Sequence, residues 1–279
     1  MDKPIVALIY DFDKTLCTKD MQDYAFIPSI GMEPEEFWAE CNKMSVEKNM
    51  DGILASMYNM LRRSKEHQVL TRNSLKELGR NITYFPGVEE WFSLINNYCE
   101  DKGIIIEHYI ISSGLRKIIQ GTSIAKNFHK IFASEFCYDE NGVAFWPAVA
   151  LNYTSKTQFL FRINKGIYEV YDAETLNDYQ DERTRRIPFD NMIYIGDGFT
   201  DVPSMKLTKL NGGYSIGVFS DEPKQAQKMM AAGRINFMVK ADYREGSELC
   251  IIVKRIIDMV TSESILRNLS YEQFNKLQK

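Results

Sequence analysis

Acidic residues stand directly after two apolar segments of this 279-residue chain. Asp11 and Asp13 follow residues 5–10, and Asp197 and Asp201 follow a later apolar run. Carboxylates gathered in one cleft repel one another strongly unless a cation lies between them. A hard cation that prefers oxygen ligands and keeps several waters, such as Mg²⁺, resolves this repulsion. Because both segments are expected to end at the same rim, these four residues predict a magnesium site.

Two serine hydroxyls and one ammonium complete the set of groups that could do chemistry. Ser112 and Ser113 follow a third apolar run, and Lys156 lies at a predicted helix start. A cation in the first turn of a helix opposes the helix dipole by ~0.3–1 kcal/mol, so a bound anion explains Lys156 better than stability does. These hydroxyl and ammonium groups can bind the oxygens of a phosphate. Backbone N–H groups at a helix start after Ser112 would add to this anion site. Lys165, in the same helix as Lys156, is the alternative lysine.

The apolar segments themselves predict buried strands of a parallel sheet. Continuous β-branched and apolar runs are typical of strands that are buried on both faces. Such strands are predicted at residues 5–10, 104–111, 131–136, 192–195, 214–218 and 236–239. They alternate with helical patterns, which predicts an α/β fold with an open, doubly wound, Rossmann-like parallel sheet. Ligands bind beyond the carboxyl ends of such strands, where the residues above are placed.

Residues 18–85 carry helical rather than strand patterns. Apolar residues recur at helical spacing after residue 33 and again over 53–61, and a third, shorter helix is predicted to end at Gly79 as its C-terminal cap. We therefore predict a helical cap domain at residues 18–85. It would be inserted after the first strand into a core domain made of residues 1–17 and 86–279.

Three further segments have clear local patterns. Asp, Glu, Asn and Gly at residues 139–142 predict the turn of a small hairpin. Residues 171–186 are polar and charged, which indicates a solvated excursion. Residues 248–260 predict a helix near the end of the chain.

The motifs, taken in order, resemble those of haloacid-dehalogenase-superfamily phosphatases. The resemblance rests on the sequences DFDKTL at 11–16, SSG at 112–114, Lys156 and GDGFTD at 196–201. The helical insertion between the first two motifs is similar to the caps of the phosphoserine-phosphatase-like branch. The resemblance covers residues 5 to 240, and its first and fourth motifs are specific.

The resemblance implies a two-step phosphoryl transfer with magnesium as cofactor. Asp11 would attack phosphorus and form an aspartyl-phosphate. Asp13 would protonate the leaving alkoxide and then activate water. Mg²⁺ would be held by the Asp11 carboxylate, the Asp13 carbonyl and Asp197, with Asp201 acting behind these ligands or through water. Contacts to the substrate phosphate are expected from Thr15, Ser112, Ser113, Lys156 and Thr200.

The sequence defines the residues that would select the substrate less clearly than it defines the catalytic motifs. Relatives in this branch carry Asn where Thr200 stands, and no cap arginine is matched, although Arg62 and Arg63 lie nearby. These arginines are better interpreted as a solvated helix face than as an anion clamp. Asp20 occupies the place of a cap-side acid. The residues Trp38, Met57, Tyr58 and Met60 favour packing inside the cap over an aromatic cage for a quaternary ammonium.

Composition excludes several other classes of protein. Lys and Arg number 34 against 38 Asp and Glu, a net charge of −4, so no overall positive field would hold nucleic acid or an anionic membrane. The first apolar run is too short for a signal-peptide core or a membrane span of ~20 residues. The five cysteines have no CxxC spacing, which indicates free thiols in a reducing cytoplasm.

The resulting hypothesis is a cytoplasmic, Mg²⁺-dependent hydrolase of a small phosphorylated metabolite. Two alternatives stay open at this stage. One is a phosphotransferase or phosphomutase that uses the same aspartyl-phosphate. The other is a phosphate-responsive binding module in which Asp11 accepts phosphate as a switch. The sequence leaves the oligomeric state undetermined.

Overall fold

The computed structural model describes residues 3–67 and 69–277. One sheet contains the strands β1 Ile5–Tyr10, β2 Ile105–Leu115, β3 Lys130–Tyr138, β4 Ala144–Val149, β5 Met192–Gly196, β6 Tyr214–Phe219 and β7 Phe237–Lys240. Their order across the sheet is β4-β3-β2-β1-β5-β6-β7. All neighbours are parallel except β3 and β4, which form the predicted hairpin. The predicted α/β fold is confirmed.

Helices cover both faces of this sheet. They are α1 Met21–Tyr24, α2 Phe26–Ser29, α3 Pro34–Lys48, α4 Gly52–Ser64, α5 Arg72–Leu78, α6 Val88–Glu100, α7 Arg116–Gln120, α8 Lys156–Lys165, α9 Glu174–Asn177, α10 Val202–Leu210, α11 Lys224–Ala231 and α12 Glu248–Leu277. Val6, Leu8 and Tyr10 pack in one apolar cluster with α6 and α12, and Ala7 and Ile9 pack in another with α8 and α10. The alternation along β1 explains why its whole sequence is apolar.

Helices α1 to α5 lie between β1 and α6, where the sequence predicts an inserted cap. Phe37 and Cys41 of α3 share an apolar cluster with Met57 and Met60 of α4. These two methionines therefore pack within the insertion, while Tyr58 is half exposed. The division of the chain into domains at residues 1–17, 18–85 and 86–279 stays a prediction.

The helix α5 ends at Leu78 with Gly79 as its C-cap residue, as predicted, but the conformation of this cap is not the left-handed one that glycine usually adopts there. Gly79 has a right-handed φ of −62° and the chain continues into a 3₁₀ turn, Gly79–Asn81, so this glycine is not a left-handed cap. Its role is close packing: a Cβ at Gly79 would lie 2.2 Å from the carbonyl oxygen of Ile118, and a Cβ at Gly121 would lie 1.8 Å from that of Lys76. The two glycines thus let α5 of the insertion approach α7 of the core.

The last helix is longer than its apolar pattern predicts. The prediction ends α12 at residue 260, and the helix continues to Leu277. Beyond Val260 the large apolar side chains, such as Leu266 at 67% exposure, are mostly exposed. The periodicity fades there because the helix no longer packs on the sheet, while the backbone remains helical. Within the described residues, no helix is long and apolar enough to cross a membrane.

The contact between α5 and α7 yields a stability prediction. We expect Gly121→Ala to lower the free energy of unfolding by about 3 kcal/mol, because the added methyl group meets backbone that cannot move aside without shifting a helix. The backbone of Gly121 has φ −86°, which alanine also adopts, so the effect would report the contact alone. Urea denaturation would measure it.

Gly52→Ala is the matched control. Nothing lies within 4 Å of a Cβ at Gly52, the first residue of α4, so the free energy of unfolding should change by less than about 0.5 kcal/mol. Equal stability of the two variants would contradict the assigned role of Gly121.

Candidate active site

A cavity of about 530 Å³ lies at the carboxyl ends of β1, β2 and β5, under helices of the insertion. From the core, its lining includes Asp11, Asp13, Ser112, Ser113, Lys156, Asp197 and Thr200. From the insertion, it includes Asp20, Gln22, Trp38, Asn42, Ile53 and Ser56. Parallel topology explains this convergence, because every contributing strand ends at the same edge of the sheet.

Lys156 joins two of the predicted acidic motifs. Its ammonium is fully buried and donates hydrogen bonds to Oδ1 of Asp11 at 2.9 Å and to Oδ1 of Asp201 at 2.8 Å. Burial lowers the pKa of Lys156, but the two carboxylates outweigh burial and the net shift is upward. The hydroxyl of Tyr194 also donates to Oδ1 of Asp201, at 2.8 Å. The alternative lysine, Lys165, instead bonds backbone carbonyls of residues 176 and 178, at 2.6 Å each.

Three carboxylates lie close enough to share a cation. One oxygen from each of Asp11, Asp197 and Asp201 can be chosen so that all lie within 4.8 Å of one another. Burial, then Asp201, raises the pKa of Asp11. Burial, then Asp11 and Asp201, raises the pKa of Asp197 to about 8. The ammonium of Lys156 therefore does not fully offset this negative charge, and an all-oxygen donor set of this kind fits Mg²⁺.

Asp13 lies beside this cluster and is held by the insertion. Its Oδ1 accepts a hydrogen bond from the backbone N–H of Met21, the first residue of α1, at 2.9 Å. Burial, then Asp20 and Asp11, raises the pKa of Asp13 well above its usual value. A Cβ at Gly114 would lie 2.0 Å from Cε of Met21 and 3.0 Å from Oδ2 of Asp13. A side chain at the glycine of the SSG motif would therefore displace the end of the Met21 side chain beside Asp13.

The predicted helix after the SSG motif is present as α7, but it begins at Arg116 rather than Leu115. Strand β2 runs through Leu115, with a bulge after Ser112. The N–H of Gly114 donates to Oγ of Ser112 at 3.0 Å, and that of Leu115 contacts Sδ of Met21 at 3.1 Å. These N–H groups are therefore already bonded and are not free to bind an anion.

The remaining hydroxyl candidates differ in position. Oγ of Ser113 is buried and has no hydrogen-bond partner among the described residues, although the residue lines the cavity. Thr200 is exposed at the cavity. Thr15 is fully buried and does not line the cavity, and its Oγ1 has no partner among the described residues either. The phosphate contacts of these residues stay predictions.

The insertion contributes residues that sequence reasoning missed or left open. Lys14 binds Asp20 at 2.5 Å, so two oppositely charged residues of the cavity pair with each other. Gln22 lines the cavity beside them. Arg62 and Arg63 both bind Glu40 and neither lines the cavity, in line with a helix face rather than an anion clamp. The sequence feature that could have indicated Gln22 is its position six residues after the end of the DFDKTL motif.

The raised pKa of Asp197 predicts how the metal-free protein responds to pH. The pKa of Asp197 is near 8 in the folded protein and about 3.8 in the unfolded chain, so the folded protein keeps this proton more tightly. The resulting stabilisation is complete below pH 4 and is lost as the pH rises through 8. Between pH 6.5 and 8.5, we expect Asp197 to lower the free energy of unfolding by about 2 kcal/mol in the presence of a chelator. Asp197→Asn should remove this part of the pH dependence. Chemical denaturation of both proteins at the two pH values would measure the difference.

Added Mg²⁺ provides the second arm of this experiment. At pH 8.5 the ion should raise the melting temperature of the wild-type protein and have a smaller effect on Asp197→Asn. The same pH slope in both proteins would contradict the assigned electrostatics of Asp197.

Comparisons with known proteins give the family of this chain. The family model described as haloacid dehalogenase-like hydrolase matches residues 8–206. An uncharacterized protein of Borreliella burgdorferi is 30% identical, over 88% of this chain and 94% of that protein. A substrate-bound phosphoserine phosphatase has a similar fold, with a TM-score of 0.57, 17% identity and coverage of 87% of this chain and 97% of that one.

A haloacid dehalogenase family hydrolase from Salmonella enterica serovar Typhi also has this fold, with a TM-score of 0.55, 19% identity and coverage of 85% of this chain and 68% of that one. At these identities the two solved structures show a shared fold alone. The family model, in contrast, matches well over half of the chain and includes all four motifs. The chain therefore belongs to the haloacid dehalogenase-like hydrolase family.

Proposed function

We propose that this chain is a Mg²⁺-dependent phosphomonoester hydrolase that acts on a small phosphorylated metabolite through an aspartyl-phosphate on Asp11. The observation that carries the proposal is the buried bridge from Lys156 to Asp11 and Asp201, next to Asp13 and Asp197 in one cavity. Family membership supports hydrolysis, and the adjacent acid at Asp13 supports phosphate esters as substrates.

Asp11 is suited to act as the nucleophile. Lys156 holds its Oδ1 at 2.9 Å, which limits rotation of the carboxylate and leaves the second oxygen to attack phosphorus. The backbone N–H of Asp11 donates to the carbonyl of Ile195 at 2.9 Å, so the residue is anchored between β1 and β5. In the first step an oxygen of Asp11 bonds to phosphorus while the bond from phosphorus to the ester oxygen breaks.

Asp13 is suited to move the proton in both steps. Because burial raises its pKa, the protonated carboxyl is available to give its proton to the departing alkoxide. The resulting carboxylate then accepts a proton from the water that attacks the aspartyl-phosphate. The bond from Met21 N–H to Oδ1 favours Oδ2 as the oxygen that exchanges the proton.

The phosphate would lie between the core motifs. Ser112, Ser113, Lys156 and Thr200 line the cavity and would contact the phosphate oxygens. Asp11, Asp197 and the main-chain carbonyl of Asp13 would hold Mg²⁺, with Asp201 behind them, and the ion supplies positive charge that stabilises the transferring phosphoryl group. The insertion at residues 18–85 would cover this site and limit the access of bulk water during the first step.

Replacing the nucleophile tests the proposal directly. Asp11→Asn should lower the rate of phosphate release by about 10³-fold or more and abolish formation of a phosphoenzyme, because the amide is a poor nucleophile. Release of inorganic phosphate from p-nitrophenyl phosphate, with Mg²⁺ present, would measure turnover. The fold of the variant can be checked by circular dichroism.

Asp221→Asn is the matched control, because the side chain of Asp221 is 89% exposed and lies outside the cavity. Its activity should equal that of the wild type. Near-normal activity of Asp11→Asn would exclude Asp11 as the nucleophile. Many phosphate equivalents released per enzyme would exclude a switch, and retention of phosphate in an organic product would indicate a phosphotransferase instead.

Metal removal gives an independent test. Dialysis against EDTA should stop turnover, and added Mg²⁺ should restore it, because the acidic cluster and the substrate phosphate repel each other without a cation. Phosphate release before dialysis, after it and after addition of the metal would be compared. A full rate in the presence of the chelator would refute the magnesium dependence.

A further inference from the structure

Gln22 is a mostly buried residue whose amide faces the open space of the cavity. Only 7% of the residue is exposed, it lines the cavity, and its amide forms no hydrogen bond to any described residue. The amide is not among the fully buried atoms that lack a partner, so water or a ligand in the cavity can reach it. The amide is therefore placed to bond a molecule that enters the cavity.

The position of Gln22 points to the leaving group rather than the phosphate. Gln22 is the second residue of α1, and the first, Met21, donates its N–H to Asp13. Asp13 is the proposed proton donor to the leaving alkoxide. The side chain of Gln22 is thus close in the chain to the residue that meets the departing oxygen, on the insertion side of the cavity.

The two lysines that line the cavity are already paired with carboxylates. Lys156 is bound by two carboxylates, and Lys14 is bound by Asp20 at 2.5 Å. Among the described residues that line the cavity these are the only cations. A carboxylate on the leaving group would therefore find no free cation. Asp11, Asp13 and Asp197 also line the cavity, but the proposed mechanism commits them to nucleophilic attack, proton transfer and the metal. Because Lys14 offsets the charge of Asp20, the insertion side offers no unpaired carboxylate to an ammonium on the leaving group.

The arginines of the insertion do not change this balance. Arg62 and Arg63 of α4 both bind Glu40 of α3. They lie outside the cavity, and moving either one into it would break an existing ion pair. The insertion thus holds these two guanidinium groups in its own structure.

Uncharged residues make up the rest of the cavity lining. Asn42 and Gln225 carry amides with both donors and acceptors, and Ser56, which donates to Ile53 at 2.9 Å, keeps acceptor capacity. Hydroxyl groups also donate and accept, so these side chains match them. The indole N–H of Trp38 donates to Asp23 at 2.9 Å, which fixes the ring as an apolar surface for a carbon skeleton.

We propose that the substrate is the monophosphate of an uncharged, hydroxylated alcohol, a polyol or sugar, and that Gln22 selects it by hydrogen bonding to one of its hydroxyls. This inference rests on the proposed phosphatase function. The cavity volume of about 530 Å³ lies within the range of small-molecule sites, roughly 300–1,000 Å³.

A substrate panel with a neutral reference tests the inference. We would compare kcat/KM for glycerol 3-phosphate and sorbitol 6-phosphate with that for O-phosphoserine and O-phosphoethanolamine, at saturating Mg²⁺. p-Nitrophenyl phosphate, whose leaving group has no further hydroxyl, serves as the reference. We expect at least one polyol phosphate to exceed both charged substrates by tenfold or more.

Gln22→Leu tests the residue, because leucine keeps most of the volume and lacks the amide. It should lower kcat/KM for the preferred polyol phosphate by about three- to tenfold, the effect of one neutral hydrogen bond, and leave p-nitrophenyl phosphate within twofold. Gln227→Leu, at an exposed position of α11 outside the cavity, should change neither. Binding can also be measured without turnover, by calorimetry with the polyol phosphate and the Asp11→Asn variant. Adding Gln22→Leu to that variant should weaken the affinity by the same three- to tenfold.

Each outcome distinguishes the two proposals. Hydrolysis of p-nitrophenyl phosphate together with a preference for phosphoserine or phosphoethanolamine would overturn this inference and leave the phosphatase function in place. An equal loss of activity of Gln22→Leu on all substrates would overturn the assigned role of Gln22. If the wild type released no phosphate from any substrate, the proposed function would fail and this inference with it.

Discussion

The buried ammonium of Lys156 is the interaction on which the site depends. It lies between Asp11, at the end of β1, and Asp201, beyond the end of β5, and none of the lysine is exposed. Breaking a buried ion pair leaves an uncompensated charge in a poorly solvated place, at a cost of about 3–5 kcal/mol. The same contact therefore holds strand ends from different parts of the chain together and orients the carboxylate that would attack phosphorus. Tyr194, which donates to Asp201, supports the bridge from β5.

The insertion is part of this site and is joined to the core at several points. Where the chain leaves the core and returns to it, Thr18 N–H donates to the carbonyl of Thr83 at 3.1 Å, and Phe85 N–H donates to that of Leu16 at 3.0 Å. Further along, the first turn of α1 binds Asp13, and α5 packs on α7. One inserted segment thus positions the proposed proton donor and also lines the part of the cavity where a leaving group would lie.

Sequence patterns predicted the elements more reliably than their ends and contacts. Strand β1 was recognisable because both of its faces are buried, so every residue in it is apolar. The role of Gly79 was not recognisable, because a glycine at a helix end has the same local signature whether it caps the helix or allows a neighbour to approach. The start of α7 was predicted one residue too early, at Leu115 instead of Arg116, because the bulge that extends β2 through Leu115 depends on its pairing with β3 and leaves no local pattern.

The amino-acid sequence by itself determined the α/β fold and the order of the acidic, serine and lysine motifs, because parallel strands must deliver the residues that follow them to one edge. Only the tertiary structure decided which charges meet. It joined Lys156 rather than Lys165 to Asp11, tied Arg62 and Arg63 to Glu40, and gave the amide of Gln22 no partner among the described residues. These pairings join residues that lie on separate elements, and their distances follow from how the helices pack rather than from any local pattern.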